Sequence, residues 1–209
     1  MMRLTVLALA QTCLVGLGAA HASPTLNATT ETIYIIRHGE KTNPIGCLSS
    51  QGKARAAALP GIFDDSTGKF GTPRSLFATY YDDGINCERC TETLTPISKQ
   101  LNVSVNSTYG YAKKLGGNEA AAAAMLRQLA GGGGPILTAW EHINIQFLTA
   151  ALGVDKSRIP SWSNSDYDTC YVLTYSSGGG SATLTNFEVS AEGWSPSAPD
   201  DGNPDVVLE

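Results

Sequence analysis

Two short runs of β-forming residues each end in a charged pair containing a histidine, and this constrains the chain more than any other feature. Thr32-Ile33-Tyr34-Ile35-Ile36 stops at Arg37-His38-Gly39-Glu40, and Pro135-Ile136-Leu137-Thr138-Ala139-Trp140 stops at Glu141-His142. Runs this apolar suit central strands covered on both faces. The segments around them alternate. Ser49, Ser50 and Gln51 open a helix that carries Lys53 and Arg55 and runs to Leu59, with Pro60 at its end. Ser75–Tyr80 is a second strand, Thr91–Gln100 a helix despite Pro96, and Val103–Val105 a short strand. Asn118–Ala130 is an alanine-rich helix stopped by Gly131–Gly134, and a last helix runs from about Ile143 to Leu152 with Gly153 as its cap. Tyr171–Tyr175 and Ala182–Val189 read as a hairpin joined by Ser176–Gly180. The alternation predicts a three-layer α/β/α fold with a mostly parallel central sheet and a C-terminal antiparallel hairpin. Ligands of such sheets bind beyond the carboxyl ends of the strands, so His38 and His142 are expected to face one crevice.

The first residues predict export. Arg3 precedes an apolar run from Leu4 to Leu17, and Ala20-x-Ala22 is a signal-peptidase site, so a mature chain is expected to begin at Ser23 and be secreted. As a membrane anchor the run is short of the ~20 residues a span needs, and it contains Gln11 and Thr12. Residues 23–194 then suit one domain, and 195–209, with three prolines and several acids, a flexible acidic tail. The formal net charge of −5 grows by one without Arg3, which argues against nucleic acid and anionic membrane as partners. It leaves room for a small phosphorylated ligand, because two or three arginines in a cleft set the local field. Four cysteines remain after Cys13 leaves with the leader: Cys47, Cys87, Cys90 and Cys170. In an exported chain they predict two disulfides, pairing open. The Cys87-x-x-Cys90 spacing lacks enough nearby histidines for a zinc site, so no metal and no cofactor is expected. Asn27, Asn102 and Asn106 each begin an N-glycosylation triplet.

Phosphoryl transfer needs a nucleophile that reaches phosphorus, fixed positive charge on the non-bridging oxygens, and a proton for the leaving oxygen. A neutral imidazole is a competent nucleophile near neutral pH, and a planar guanidinium binds phosphate oxygens bidentately without losing its charge. Arg37 and His38 at one strand end supply two of the three parts, and Gly39 allows close backbone approach.

From these residues onward the chain resembles the histidine phosphatase superfamily, also called phosphoglycerate mutase-like. The likeness runs through Ile33-Tyr34-Ile35-Ile36-Arg37-His38-Gly39-Glu40-Lys41, Leu48-Ser49-Ser50-Gln51-Gly52-Lys53-Ala54-Arg55-Ala56, Glu88-Arg89-Cys90-Thr91-Glu92-Thr93-Leu94-Thr95-Pro96, and Trp140-Glu141-His142-Ile143 to Leu152-Gly153. Ile159-Pro160 and Tyr167-Asp168 add to it, in order, over roughly residues 32 to 175. The resemblance implies that His38 becomes phosphohistidine, that Arg37 and Arg89 clamp the phosphoryl oxygens with Gly39 beside them, and that His142 hydrogen-bonds the same group. Arg89 departs from the family pattern, because an insertion from Asp82 to Cys90 replaces a serine-containing strand end. The general acid is open: Glu141 is the candidate named first, with Glu92, Glu119, Asp82 and Asp83 as others.

The resulting expectation is a secreted, metal-independent phosphomonoesterase of the histidine acid phosphatase type. Export argues against a mutase, and the chain is too short for the helical insertion of phytase-like relatives. A compact pocket lidded by residues 110–134 is expected to take a small phosphomonoester or an exposed phosphorylated side chain. The alternative is a non-catalytic secreted protein that binds phosphate or a phosphorylated ligand on the same fold. A disulfide-stapled structural protein at a cell surface is a third reading, against which stands the retention of both histidines and Arg37.

Overall fold

The computed structural model describes residues 28–42, 46–81, 87–110 and 116–195. The expected leader, Asn27, Asp82, Asp83 and nearly all of the expected tail lie outside the described residues.

The elements are β1 (Thr29–Arg37), α1 (Ser50–Ile62), β2 (Ser75–Ala78), α2 (Arg89–Leu101), β3 (Val105–Asn106), α3 (Gly117–Ala130), β4 (Ile136–Trp140), α4 (His142–Ala151), β5 (Thr169–Gly178) and β6 (Ser181–Ala191). They form one six-stranded sheet in the order β3-β2-β4-β1-β5-β6. The first four strands of that order are parallel, and β5 pairs antiparallel with both β1 and β6. The α/β fold with its C-terminal antiparallel pair is therefore as the alternation predicts.

Side-chain alternation divides the core in two. Ile33 and Ile35 of β1 join α3 and α4 through Ala121, Met125, Ile145 and Leu148 on one face. Tyr34 and Ile36 join α1 and α2 through Leu59, Leu94 and Ile97 on the other. Each buried Ile, Leu or Met among them contributes about 1.5–3 kcal/mol relative to its exposed state. This makes the unbroken β1 run intelligible: both of its faces are covered.

The register sets β1 beside β4, with Arg37 opposite Trp140. The chain leaves β1 for β2 and β3, then returns to insert β4 between β2 and β1, so the strand order reverses where the two histidine-bearing ends meet. Such a reversal opens a crevice.

Two expectations are corrected. α1 continues past Pro60 to Ile62, since a proline in the last turn costs one amide bond there. Residues 117–130 are not part of a lid: Ala121, Ala122, Met125 and Leu129 make α3 a core helix packed on α4 and the sheet. No helix among the described residues is long and apolar enough to cross a membrane.

Candidate functional site

β1 ends at Arg37, and the His38 amide still donates to the Trp140 carbonyl (3.2 Å), so the ring is placed by the sheet edge rather than by a free loop. His38 is 0% exposed. Its Nδ1 lies 2.7 Å from the Gly39 carbonyl, which only accepts, so the neutral ring carries its proton on Nδ1 and its lone pair on Nε2. Nε2 is buried and has no hydrogen-bond partner among the described residues. Burial, and then the Arg89 charge, push His38 well below the ordinary histidine range. The Gly39 bond opposes them, and Arg37 and His142 add to them. The result is a dry, neutral imidazole with a free lone pair among cations.

Gly39 is held on both sides. Its amide donates to Thr93 Oγ1 (2.8 Å), and that hydroxyl donates to the Arg89 carbonyl (2.7 Å). One threonine on α2 thus ties the His38 turn to the first residue of the helix that carries Arg89. A Cβ on Gly39 would stand 2.9 Å from the Gly52 carbonyl, and one on Gly52 would stand 2.2 Å from that of Glu40. The close approach that Gly39 permits is therefore to the start of α1, where Ser49 caps the helix by accepting from the Gly52 amide (3.2 Å).

Arg37 is 2% exposed, and its Nη1 donates to the carbonyls of Ser163 (3.5 Å), Asn164 (2.7 Å) and Asp166 (3.1 Å). Its guanidinium carbon sits 3.8 Å from the Tyr167 ring centroid, while its Nε is buried with no partner among the described residues. Arg89 is mounted similarly, 4.2 Å from the Tyr81 ring centroid, with Nη1 donating to the Gly46 carbonyl (3.4 Å). The Arg89 charge is, after burial, the main cause that lowers the His38 pKa.

His142 opens α4, and its ring centroid is 6.4 Å from that of His38, at 78°. Its Nε2 is 2.9 Å from Asn164 Oδ1, and its Nδ1 is 2.8 Å from Glu141 Oε1, outside hydrogen-bonding geometry. Burial and Arg37 lower its pKa, against opposition from Glu141 and Asn164. Glu141 is the N-cap of α4: Oε2 accepts from the Asn144 amide (3.2 Å) and side chain (2.9 Å). The carboxylate therefore turns back onto the helix and holds one oxygen beside His142. Of the other acids, Glu92 lines a separate cavity between α1 and α2 with Lys53, and Glu119 is exposed. With Arg89 and His142 as their first residues, α2 and α4 both direct the positive ends of their dipoles at this crevice.

The structure thus brings His38, Arg37, Arg89, His142 and Glu141 together. Sequence pattern alone does not single out Thr93, Tyr81, Asn164 or Glu192. Tyr167 has a signal in the Tyr167-Asp168 pair. Glu192 lies just past β6, where it grips the buried Arg55 side chain through Nη2 and through Nε (2.9 Å). Arg55 is structural as a result.

The two-disulfide expectation fails. Cys47 pairs with Cys87, while Cys90 and Cys170 are free and buried. α2 begins between Cys87 and Cys90 and turns Cys90 into the core, where its Sγ lies 3.4 Å from the Tyr81 hydroxyl. Burial raises both thiols, Cys90 to about 12, which leaves them unreactive. Asn102 is exposed at the end of α2, whereas Asn106 is half-buried on β3 and accepts from the Thr108 amide (3.2 Å). Among the described residues, no group of three or more His, Cys, Asp or Glu is arranged to hold a metal ion.

No family model and no curated protein matches the chain. Among solved structures, a mycobacterial glucosyl-3-phosphoglycerate phosphatase in complex with inorganic phosphate is similar to it, at 14% identity and a TM-score of 0.42, over 77% of this chain and 96% of that one. At that level of likeness neither family nor activity follows.

Proposed function

We propose that the protein is a phosphomonoesterase that works through a phosphohistidine on His38. The observation that carries this reading is the pair of buried nitrogens at one strand end that have no partner among the described residues: the lone pair of His38 Nε2 and the Nε–H of Arg37. A phosphoryl group satisfies both, taking the lone pair at phosphorus and the N–H at a non-bridging oxygen.

In the first step Nε2 attacks phosphorus and the bond to the leaving oxygen breaks. That oxygen departs as an alcohol, with a proton from Glu141 or from solvent. Arg37 and Arg89 hold the non-bridging oxygens as charge develops on them, with the His142 ring beside them. In the second step water attacks the phosphorus and gives up a proton to Glu141 or to solvent, the P–N bond breaks, inorganic phosphate leaves and His38 returns to its neutral form. The low pKa of His38 favours this cycle, because the ring stays unprotonated and nucleophilic below the usual histidine range. The Cys47–Cys87 disulfide supports an exported setting. The substrate class is a small phosphomonoester or an exposed phosphorylated side chain, handled without a metal.

A second reading, a non-catalytic binder of phosphate or a phosphorylated ligand, has one observation in its favour: Glu141 already has one oxygen engaged in capping α4. Hydrolysis of an aryl phosphate by the mature protein, from acidic to neutral pH without added metal, separates the two. An aryl leaving group needs little acid assistance. Turnover that disappears in a folded His38→Ala variant is the expected result. Phosphate binding with no wild-type turnover would replace the enzyme with the binder.

A further inference from the structure

The segment between α4 and β5 reaches back over the site. Its carbonyls at 163, 164 and 166 accept from Arg37, and its Tyr167 ring lies on the same guanidinium. The segment is itself well tied. Trp162 Nε1 donates to the Asp166 carbonyl (3.0 Å), and Asp166 Oδ1 accepts from the amides of Asp168 and Thr169 (both 3.0 Å). Tyr171 Oη on β5 donates to the Pro160 carbonyl (3.0 Å). Within this braced loop Asn164 is placed on both sides of the crevice. Its carbonyl takes the shortest of the Arg37 bonds, and its side chain meets His142 Nε2.

The groups that face the His142 ring are Arg37 and His38 at the end of β1, Arg89 from α2, Glu141 on the same turn, and Asn164 from the loop. Of the described contacts to its nitrogens, the Asn164 bond has hydrogen-bonding geometry and the Glu141 approach does not. The amide is oriented with its oxygen toward Nε2, which therefore carries a proton. A partner on one imidazole nitrogen decides what the other can do.

We propose that Asn164 is a positioning residue: its side chain sets the ring orientation and tautomer of His142, while its main chain fixes Arg37. One loop residue thereby couples the second histidine to the phosphoryl clamp. This rests on the phosphomonoesterase reading for its kinetic consequences, but not for its consequence on His142 itself.

The test uses the mature protein with 15N-labelled histidine and three variants, Asn164→Ala, Asn164→Asp and Asn164→Gln. The chain has three histidines, one of them in the leader, so His142 is identified by loss of its signal in His142→Gln. In Asn164→Ala the His142 ring is expected to become a tautomer mixture and to titrate at lower pH. In Asn164→Asp, where a charged acceptor stands at Nε2, it is expected to titrate at higher pH. With an aryl phosphate, Asn164→Ala is expected to lose kcat on the order of tenfold with little change in KM. The aspartate variant is expected to recover much of that loss and to move the alkaline limb of the pH–rate profile upward. Asn164→Gln, which displaces the amide by one methylene, decides the point if the alanine variant does not fold. An unchanged His142 titration in the folded variants overturns the proposal, as does an altered titration with wild-type kcat. Absence of turnover in the wild type fails the phosphomonoesterase reading instead, and the histidine spectra still decide the role of Asn164.

Discussion

Arg37 and Arg55 are both buried and lie one hydrogen bond apart, with Arg55 Nη1 donating to the Arg37 carbonyl (3.1 Å), yet their charges are handled in opposite ways. Arg55 meets both oxygens of Glu192 and is neutralised where it sits. Arg37 meets carbonyl oxygens and an aromatic face, and among the described residues no carboxylate lies within ion-pair distance of it. Burial pushes Arg37 below its ordinary value, and it also pushes the Glu192 carboxyl upward while the Arg55 charge pulls it back down. Removing a charge from water costs several kcal/mol unless something compensates it. In Arg55 the compensation is built into the chain. In Arg37 a place is left for an anion from outside. The same residue type, eighteen positions apart, is a structural element in one case and half of a binding site in the other.

The largest expected effect breaks the structural half of this pair. Glu192→Leu strands the Arg55 charge and should cost about 3–5 kcal/mol of unfolding free energy in urea melts. Replacing both, Arg55→Met with Glu192→Leu, should recover most of that loss, because no charge is then left buried. A harmless single substitution, or a double variant as unstable as the single, would show that Glu192 is not what balances Arg55.

The functional half is tested by Arg37→Met. Hydrolysis of an aryl phosphate should fall about 10²–10³-fold in kcat/KM, the usual result of deleting one charge-stabilising donor. The melt should move less than in Glu192→Leu, since the lost partners are carbonyls with other options. A variant as unstable as Glu192→Leu that keeps full turnover would make Arg37 a second Arg55.

How much of this contrast the amino-acid sequence discloses depends on the distance over which each contact acts. The strand ends at Arg37 and Trp140 are legible because two unbroken apolar runs stop at charge, and parallel pairing then sets them side by side. The start of α1 is legible through Ser49 and Gly52, whose spacing reflects a cap and a backbone contact only glycine permits. Glu192 is not, because its partner is 137 residues away and the hairpin pattern fades before it. Nor is Asn164, which lies in a stretch of serine, asparagine and aspartate that reads only as loop. The cysteines mislead for a related reason. A Cys-x-x-Cys spacing does not say where a helix begins, and here α2 starts between the two and sends one outward to Cys47 and the other inward.

The smallest expected effect is also the most direct reading of the uncompensated charge. Arg37 is among the groups that depress His38. With its folded pKa below the unfolded value of about 6.5, the His38 ring binds fewer protons in the folded protein than in the unfolded chain over the interval between the two. Its contribution to stability is then fully present above pH 6.5 and is lost as the pH falls toward the folded value, at no more than about 1.4 kcal/mol per pH unit. Urea melts between pH 7.5 and 5 should therefore show a decline that is shallower in His38→Asn, where the titrating ring is gone. In Arg37→Met the decline should end at a higher pH and total less, because one source of the depression has been removed. Equal slopes in the wild type and His38→Asn would mean that His38 titrates normally in the folded protein. Equal slopes in the wild type and Arg37→Met alone would mean that burial and Arg89 account for the depression, leaving the charge on Arg37 to act on the bound anion and not on the nucleophile.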